Sequence, residues 1–149
     1  MRFQKTVFLM ALMLLLSSFS YAAPVAGKVR SALGDVSRQK KNQSTWSTLR
    51  VGAKVFQTDK VKTGQESELV LGLPDGSIIT IEEHSEVELS ELFEENGAYK
   101  TSIDIQSGRL SFAAQKQEKK TASFSFKTGT AVAAIRGTEG VISSKPFFA

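Results

Sequence analysis

The sequence contains no cysteine, and this absence excludes several kinds of protein. Its 149 residues also include only one histidine, three prolines and one tryptophan. Without a thiol there can be no cysteine nucleophile, no disulfide redox chemistry and no cysteine-based zinc site. With one histidine, a site that needs two histidine ligands cannot form within a single chain. The composition therefore leaves few routes to catalysis or to a tightly held metal ion.

Long apolar runs are absent except near the N-terminus, where the first residues have the pattern of an export signal. Two cations precede an apolar run at 7–16, and a small-x-small sequence follows that ends at Ala22. The run is shorter than the roughly 20 residues that span a bilayer. We therefore expect a cleaved signal peptide at 1–22, a mature domain at 23–149 and no membrane span after cleavage.

The mature chain has no large excess of charge of one sign. Removing residues 1–22 lowers the 19 cations to 17 against 15 carboxylates, so the net charge falls from +4 to +2. The remaining lysines are scattered or lie in two loops, at 38–43 and 116–120, without the interleaved aromatic side chains of a single-strand binder. We interpret both loops as solvated and expect no nucleic-acid partner.

Apolar and polar residues alternate with a period of two through most of the mature chain. The alternation is clearest at 67–73 and 77–81, two runs joined by Pro-Asp-Gly at 74–76. Asp-Gly between alternating runs is a strong β-hairpin signal. Nine to eleven short strands are expected, and only 90–95 could form a helical turn. The pattern predicts an all-β fold, with a β-solenoid-like roll favoured and a two-sheet β-sandwich as the alternative.

The alternation also predicts which side chains form the core. The expected core positions are Leu69, Leu71, Leu73, Ile79, Ile81, Val87, Leu89, Ile103, Ile105, Leu110, Phe112, Phe124, Phe126, Val132 and Ile135.

The order of the turn residues resembles the FecR domain family. The segment 49–81 carries an early glycine, an aspartate before a strand, Thr-Gly, and Asp-Gly-Ser before another strand. The segment 105–110 resembles the glycine-led strand of the family. The segment F-S-F-K-T-G-T-A-V-A-A-I-R-G-T-E at 124–139 is similar to the closing motif of the family, although Gly129 stands where a proline is usual. The resemblance covers essentially the whole mature chain and implies a periplasmic domain.

The founding members of that family are inner-membrane regulators of iron uptake. They carry a cytoplasmic segment that binds a sigma factor, followed by a membrane span. Only the predicted signal peptide precedes the domain in this sequence. We therefore expect a stand-alone exported FecR-domain protein, and the resemblance does not carry over transmembrane signalling.

The resemblance singles out five residues as a structural motif. They are Asp75, Gly76, Arg136, Gly137 and Thr138. Arg136 is expected at the edge of a β-layer, donating to turn carbonyls or to a carboxylate such as Asp75 or Asp59. The small residues at 131–134 are expected to pack closely against neighbouring backbone. The alternative is that Arg136 binds an anion.

Three aromatic residues are candidates for contact with a partner: Trp46, Phe147 and Phe148. Trp46 lies between the lysine-rich loop and a strand, where it either packs on the domain or stacks on a ligand. The terminal segment P-F-F-A either forms a last strand or stays free to join the sheet edge of a partner. Because Pro146 has no N–H for a strand ladder, the free tail is favoured.

The densest cluster of charge surrounds the single histidine. If 82–88 were one strand, Glu82, His84, Glu86 and Glu88 would share a face and could bind a divalent cation. The alternation breaks at 83–85, however, which favours a turn and a solvated acidic edge. No aspartate is placed to orient His84 for catalysis. We predict no catalytic, cofactor-binding or metal-binding residue.

These observations favour a non-enzymatic periplasmic module that engages a protein or envelope partner, with a role in signalling or envelope regulation. The alternative is a periplasmic domain that binds a small molecule or saccharide, with Trp46 or Tyr99 as the stacking surface. A third hypothesis, a metal-dependent hydrolase centred on His84, has the least support in the sequence.

Overall fold

The computed structural model describes residues 24–114, 122–135 and 139–144, and no helix occurs in these ranges. The twelve strands found there are β1 (Ala26–Leu33), β2 (Val36–Gln39), β3 (Trp46–Thr48), β4 (Lys54–Phe56), β5 (Lys60–Thr63), β6 (Glu68–Gly72), β7 (Ile78–Ile81), β8 (Glu86–Glu95), β9 (Ala98–Ala113), β10 (Ala122–Thr128), β11 (Val132–Ile135) and β12 (Glu139–Ser144). The prediction of an all-β fold is confirmed. The segment 90–95 is part of β8 and not a helical turn.

The strands form one curled, open sheet, a half-barrel organised around β9. The path runs β3-β2-β5-β8-β9-β7-β6-β1-β4, with each strand hydrogen-bonded to the next. The strands β8 and β7 pair with successive parts of β9, and β10 and β12 pair with the same two parts from the other side. All of these pairs are antiparallel except β9–β10. The arrangement is therefore a curled sheet and not a stack of parallel coils.

The curl depends on a bend in β9 at Gly108. This residue has a φ of +93°, and a Cβ atom there would lie 2.1 Å from the Ser85 Oγ. The same hydroxyl accepts a hydrogen bond from the Arg109 N–H at 3.0 Å. Ser85 is held in turn by Thr63, whose Oγ1 accepts from the Ser85 N–H at 3.0 Å and donates to the Glu82 carbonyl at 2.6 Å. These hydrogen bonds hold the turn between β7 and β8 against β9 next to Gly108.

The core fills the inside of the curl. Thirteen of the fifteen predicted core residues are buried, and the exceptions are Ile135, which is half-buried, and Val132, which is 69% exposed. Three phenylalanines, Phe112, Phe124 and Phe126, bring the two halves of the sheet together, with ring centroids 5.0 to 6.4 Å apart. Seven buried apolar residues of the described ranges were missing from the predicted core list. They are Val29, Val36, Leu49, Val55, Val61, Leu92 and Tyr99.

Arg38 closes one edge of the curl. It lies in β2 and donates to the Lys54 carbonyl in β4, and this hydrogen bond joins the β2 side of the sheet to the β4 side. Its guanidinium also lies 3.7 Å from the carboxylate of Asp59, the residue before the neighbouring strand β5. The Asp59 side chain is only 4% exposed and accepts from the Phe56 N–H at 3.0 Å.

In the ranges that the structure describes, no helix has the length and the apolar character needed to span a bilayer.

Candidate interaction surfaces

The opposite edge of the curl ends in β11, a short apolar strand with little cover. It pairs with β10 alone, in the register Phe126↔Ala133 and Phe124↔Ile135. Val132, Ala133 and Ala134 are exposed, and no second strand lies beside β11 in the described part of the chain. The prediction that 131–134 are closely packed is therefore wrong. Two of the three clustered phenylalanines belong to β10, and Ile135 is the β11 residue that packs against the core.

The chemistry of β11 leaves its edge open to another strand. Natural edge strands are usually protected by charge, proline, a bulge or very short length. The sequence Val-Ala-Ala-Ile has no charge and no proline, and its pairing with β10 is regular over four residues. By contrast, β3 and β4 at the other edge are three residues long, and Arg38 covers a β4 carbonyl. The edge of β11 is the less protected of the two.

A shallow apolar groove lies on the outer face of the neighbouring strands β7, β9 and β12. Its volume is about 320 Å³, and Ile78 and Val141 on its rim are 43% and 66% exposed. Thr80, Ser111 and Ala113 also line it. The consecutive isoleucines at 78 and 79 are a sequence signal for this groove, because an alternating strand must direct one of them outward.

A second surface surrounds Trp46, at the far end of the same sheet from β11. Trp46 is 39% exposed. It lies opposite Gln39 in the β3–β2 ladder, Gln39 lies opposite Lys60 in the β2–β5 ladder, and Lys60 lies opposite Glu88 in the β5–β8 ladder. Residues directly opposite in a ladder share a face, so these four side chains form one row. The structure thus places Trp46 at the surface beside the lysine-rich loop. Tyr99 is only 8% exposed and offers no stacking surface.

The turn of the structural motif joins β6 to β7. Asp75 is 3% exposed and accepts hydrogen bonds from the Ser77 N–H at 3.1 Å and the Ser77 Oγ at 2.8 Å. Gly76 has a φ of +87°, which a glycine adopts without strain. Asp59, the other carboxylate expected near Arg136, pairs with Arg38. Five predicted site residues lie outside the described ranges: Arg136, Gly137, Thr138, Phe147 and Phe148.

His84 lies in the exposed turn between β7 and β8. Its φ is +53°, and its N–H donates to the Gly64 carbonyl at 3.1 Å. Since β8 begins at Glu86, the residues 82–88 do not form a single strand, and the acidic row considered for a cation does not exist. Within the described ranges, no three histidine, aspartate or glutamate side chains are grouped to hold a metal ion.

Comparison with known proteins gives one match. The sequence model described as FecR protein matches residues 59–146, which is more than half of the chain. This range runs from the residue before β5 to beyond β12 and includes β11, whereas Trp46 and the lysine-rich loop precede it. The match is thus shorter than the resemblance implied. No curated protein and no solved structure matches the chain.

Proposed function

The chain belongs to the FecR family, and we propose that it is a periplasmic regulatory module that binds a protein partner by strand addition at β11. At the level of the family, FecR domains are periplasmic signalling or regulatory domains, and the family is not a known enzyme family. The observation that carries the proposal is the apolar edge of β11, which lies within the matched residues and has no neighbour besides β10 among the described strands. An extended segment of the partner would pair with it.

Strand addition uses groups that β11 leaves available. Alternate residues of an edge strand direct both N–H and C=O outward, and these give the partner backbone hydrogen bonds. Val132, 69% exposed, adds apolar surface that becomes buried on binding. Each backbone hydrogen bond contributes only about 1 kcal/mol net. A four-residue edge therefore supports a reversible contact of the kind a regulatory module uses.

The location of the protein and its boundaries belong to the same proposal. The signal pattern at 1–22 supports export, and the mature domain then comprises 23–149. The proposal assigns no catalytic role, because the only histidine lies in an exposed turn and the chain has no cysteine. The mass of the exported protein checks the export step: a chain that begins near Ala23 agrees with cleavage, and a full-length chain in membranes contradicts it.

A pair of matched substitutions tests the binding edge. Val132→Lys places a charge on β11, whereas Val51→Lys places the same charge at a residue of similar exposure, 69% against 64%, away from β11. Wild-type and variant mature proteins are used to capture partners from periplasmic extract, with quantitative mass spectrometry. We expect one or more proteins to be retained by wild type and Val51→Lys and lost with Val132→Lys. Equal retention by both variants would rule out β11 as the binding edge.

A further inference from the structure

A polar hollow lies beside Trp46, between the turn that follows β2 and the strands β5 and β8. We call it the lysine-turn hollow. Its volume is about 270 Å³, and its lining residues are Gln39, Lys40, Lys41, Asn42, Gln43, Thr58, Lys60 and Glu88. The volume is close to the lower end, roughly 300 Å³, of sites that hold small molecules. It therefore suits a single ring rather than a long chain.

The lining of the hollow carries an excess of positive charge. Three lysines face one carboxylate, and the Lys60 ammonium lies 3.9 Å from the Glu88 carboxylate. Lys40 and Lys41 form no ion pair with any described residue. Two ammonium groups without a counter-charge at one hollow favour a ligand with an anionic group.

Uncharged groups in the lining are suited to hydroxyl partners. The amides of Gln39, Asn42 and Gln43 each offer donors and an acceptor. Thr58 has a φ of +68°, an unusual conformation for a β-branched residue. Its Oγ1 atom is buried and has no hydrogen-bond partner among the described residues. Because this atom is closed to solvent, the binding of ligand hydroxyls falls to the three amides.

Trp46 adds an aromatic face next to these groups. The ladder places it in the same row as Gln39, Lys60 and Glu88, three of the residues that line the hollow. A sugar ring has C–H groups on its faces and hydroxyls on its rim. The indole can pack against the former while amides and hydroxyls bind the latter.

We infer that the lysine-turn hollow binds an anionic saccharide, namely a sugar ring that carries a carboxylate or phosphate group. The indole, which borders the hollow through Gln39 and is not one of its lining residues, would take the ring face, the amides the hydroxyls, and Lys40 and Lys41 the anionic group. Trp46, Lys40 and Lys41 precede the residues matched by the FecR model, whereas Lys60 and Glu88 lie within them. The hollow is separate from β11, at the other end of the sheet, and does not depend on the proposed partner.

The single tryptophan makes the test direct, because intrinsic fluorescence then reports on Trp46 alone. The mature protein is titrated with galacturonate, with glucose 6-phosphate, with neutral glucose and with inorganic phosphate. We expect a saturable change in emission with at least one of the two acidic sugars, and a weaker response to glucose. The response should weaken as salt is added. If neither acidic sugar changes the emission, the proposal is wrong.

Matched variants separate the site from general charge attraction. Lys40→Gln with Lys41→Gln should weaken binding of the responding sugar by about tenfold. Lys28→Gln with Lys127→Gln removes the same charge from β1 and β10 and should leave binding unchanged. Equal weakening in both double variants would overturn the assignment of the site. If inorganic phosphate gives the same response as the acidic sugar, the site binds a simple anion only and the saccharide assignment fails.

Discussion

Gly108 is the residue at which β9 passes from one half of the sheet to the other. Its φ of +93° and the 2.1 Å distance from a Cβ atom to the Ser85 Oγ make any other residue both strained and overpacked. The Cβ atom would also lie 2.5 Å from the Ser85 Cα, so moving the hydroxyl alone does not relieve the clash. This position combines a backbone requirement with a packing requirement.

We predict that Gly108→Ala lowers the free energy of unfolding by about 3 kcal/mol, from left-handed strain plus overpacking. Gly52→Ala is the control, because Gly52 has a φ of +85° and nothing within 4 Å of its Cβ position. Gly52→Ala should lower the free energy of unfolding by only about 1 kcal/mol. Urea unfolding followed by tryptophan fluorescence measures both values. Equal costs would show that the contact with Ser85 does not constrain the bend.

Arg38 and Asp59 form an ion pair between β2 and the residue that precedes β5. Their side chains are 15% and 4% exposed, whereas those of the Lys60–Glu88 pair are 36% and 26% exposed. Removing one member of a buried pair leaves a charge without compensation. We predict that Arg38→Met costs about 3 kcal/mol of stability, and that Lys60→Met costs less than about 1 kcal/mol. Chemical denaturation gives both numbers, and similar losses would contradict the structural role of Arg38.

Arg136 remains a prediction from the sequence, because it lies outside the described residues. The strands β7 and β12 both run antiparallel to β9, and their first residues, Ile78 and Glu139, both pair with Ala113. The turn that contains the buried Asp75 precedes β7, so this turn lies at the end of the sheet where β12 begins. This topology supports Asp75 as the carboxylate partner.

We therefore expect Arg136→Met to lower the thermal midpoint by several degrees. In a double-mutant cycle with Asp75→Asn, the midpoint losses of the two single variants should sum to more than the midpoint loss of the double variant. The cycle is measured by thermal denaturation of the four mature proteins. An unchanged midpoint for Arg136→Met, or strictly additive losses, would contradict a pairing with Asp75.

At the scale of elements, alternation identified strands wherever a second layer covers one face. Leu69, Leu71, Ile79 and Ile81 are fully buried, as predicted from a period of two. The same reasoning failed at β11, because a local pattern shows that residues are apolar but not whether any layer lies above them. The exposure of Val132 depends on the pairing of β10 with β9, a contact between distant parts of the chain.

The candidate sites were predicted only in part, for the same reason. Trp46 was recognised as a candidate contact from its residue type alone. The lysine-turn hollow was not, because it brings the turn at 40–43 together with Thr58 and Glu88, which are far apart in sequence. The hydrogen bond from Arg38 to the Lys54 carbonyl likewise depends on the curl, because β2 and β4 are not neighbours in the strand order. Sequence patterns indicate local elements, and these sites form only when elements meet.

The segment after β12 supplies a prediction at the scale of an element. Deleting 145–149 removes the sequence K-P-F-F-A, in which Pro146 lacks the N–H that a continued ladder requires. We expect the thermal midpoint to stay within about a degree, and retention of the partner from periplasmic extract to weaken. Differential scanning calorimetry and the capture assay measure the two effects. If the deletion unfolds the domain, the segment belongs to the core and is not a contact for a partner.

Across the whole molecule, the edge strands of the curled sheet differ in chemistry. One edge ends in the short strands β3 and β4, and Arg38 in β2 donates to the Lys54 carbonyl in β4. The apolar strand β11 forms another edge and, like β12, pairs on one side only among the described residues. A sheet that is closed at one edge and open at the other can bind an extended segment at the open edge without rearranging its core. This asymmetry is the structural basis of the proposed regulatory role.

The most direct measurement of that role is site-specific photocrosslinking in the periplasm. A photoreactive amino acid replaces Val132 on β11 in one variant and Val51, which is similarly exposed, in another. Both proteins are irradiated in intact cells, and the adducts are separated by mass and identified. We predict a discrete adduct with one partner protein from position 132 and none from position 51. No adduct at position 132, or the same adduct from both positions, would contradict binding at β11.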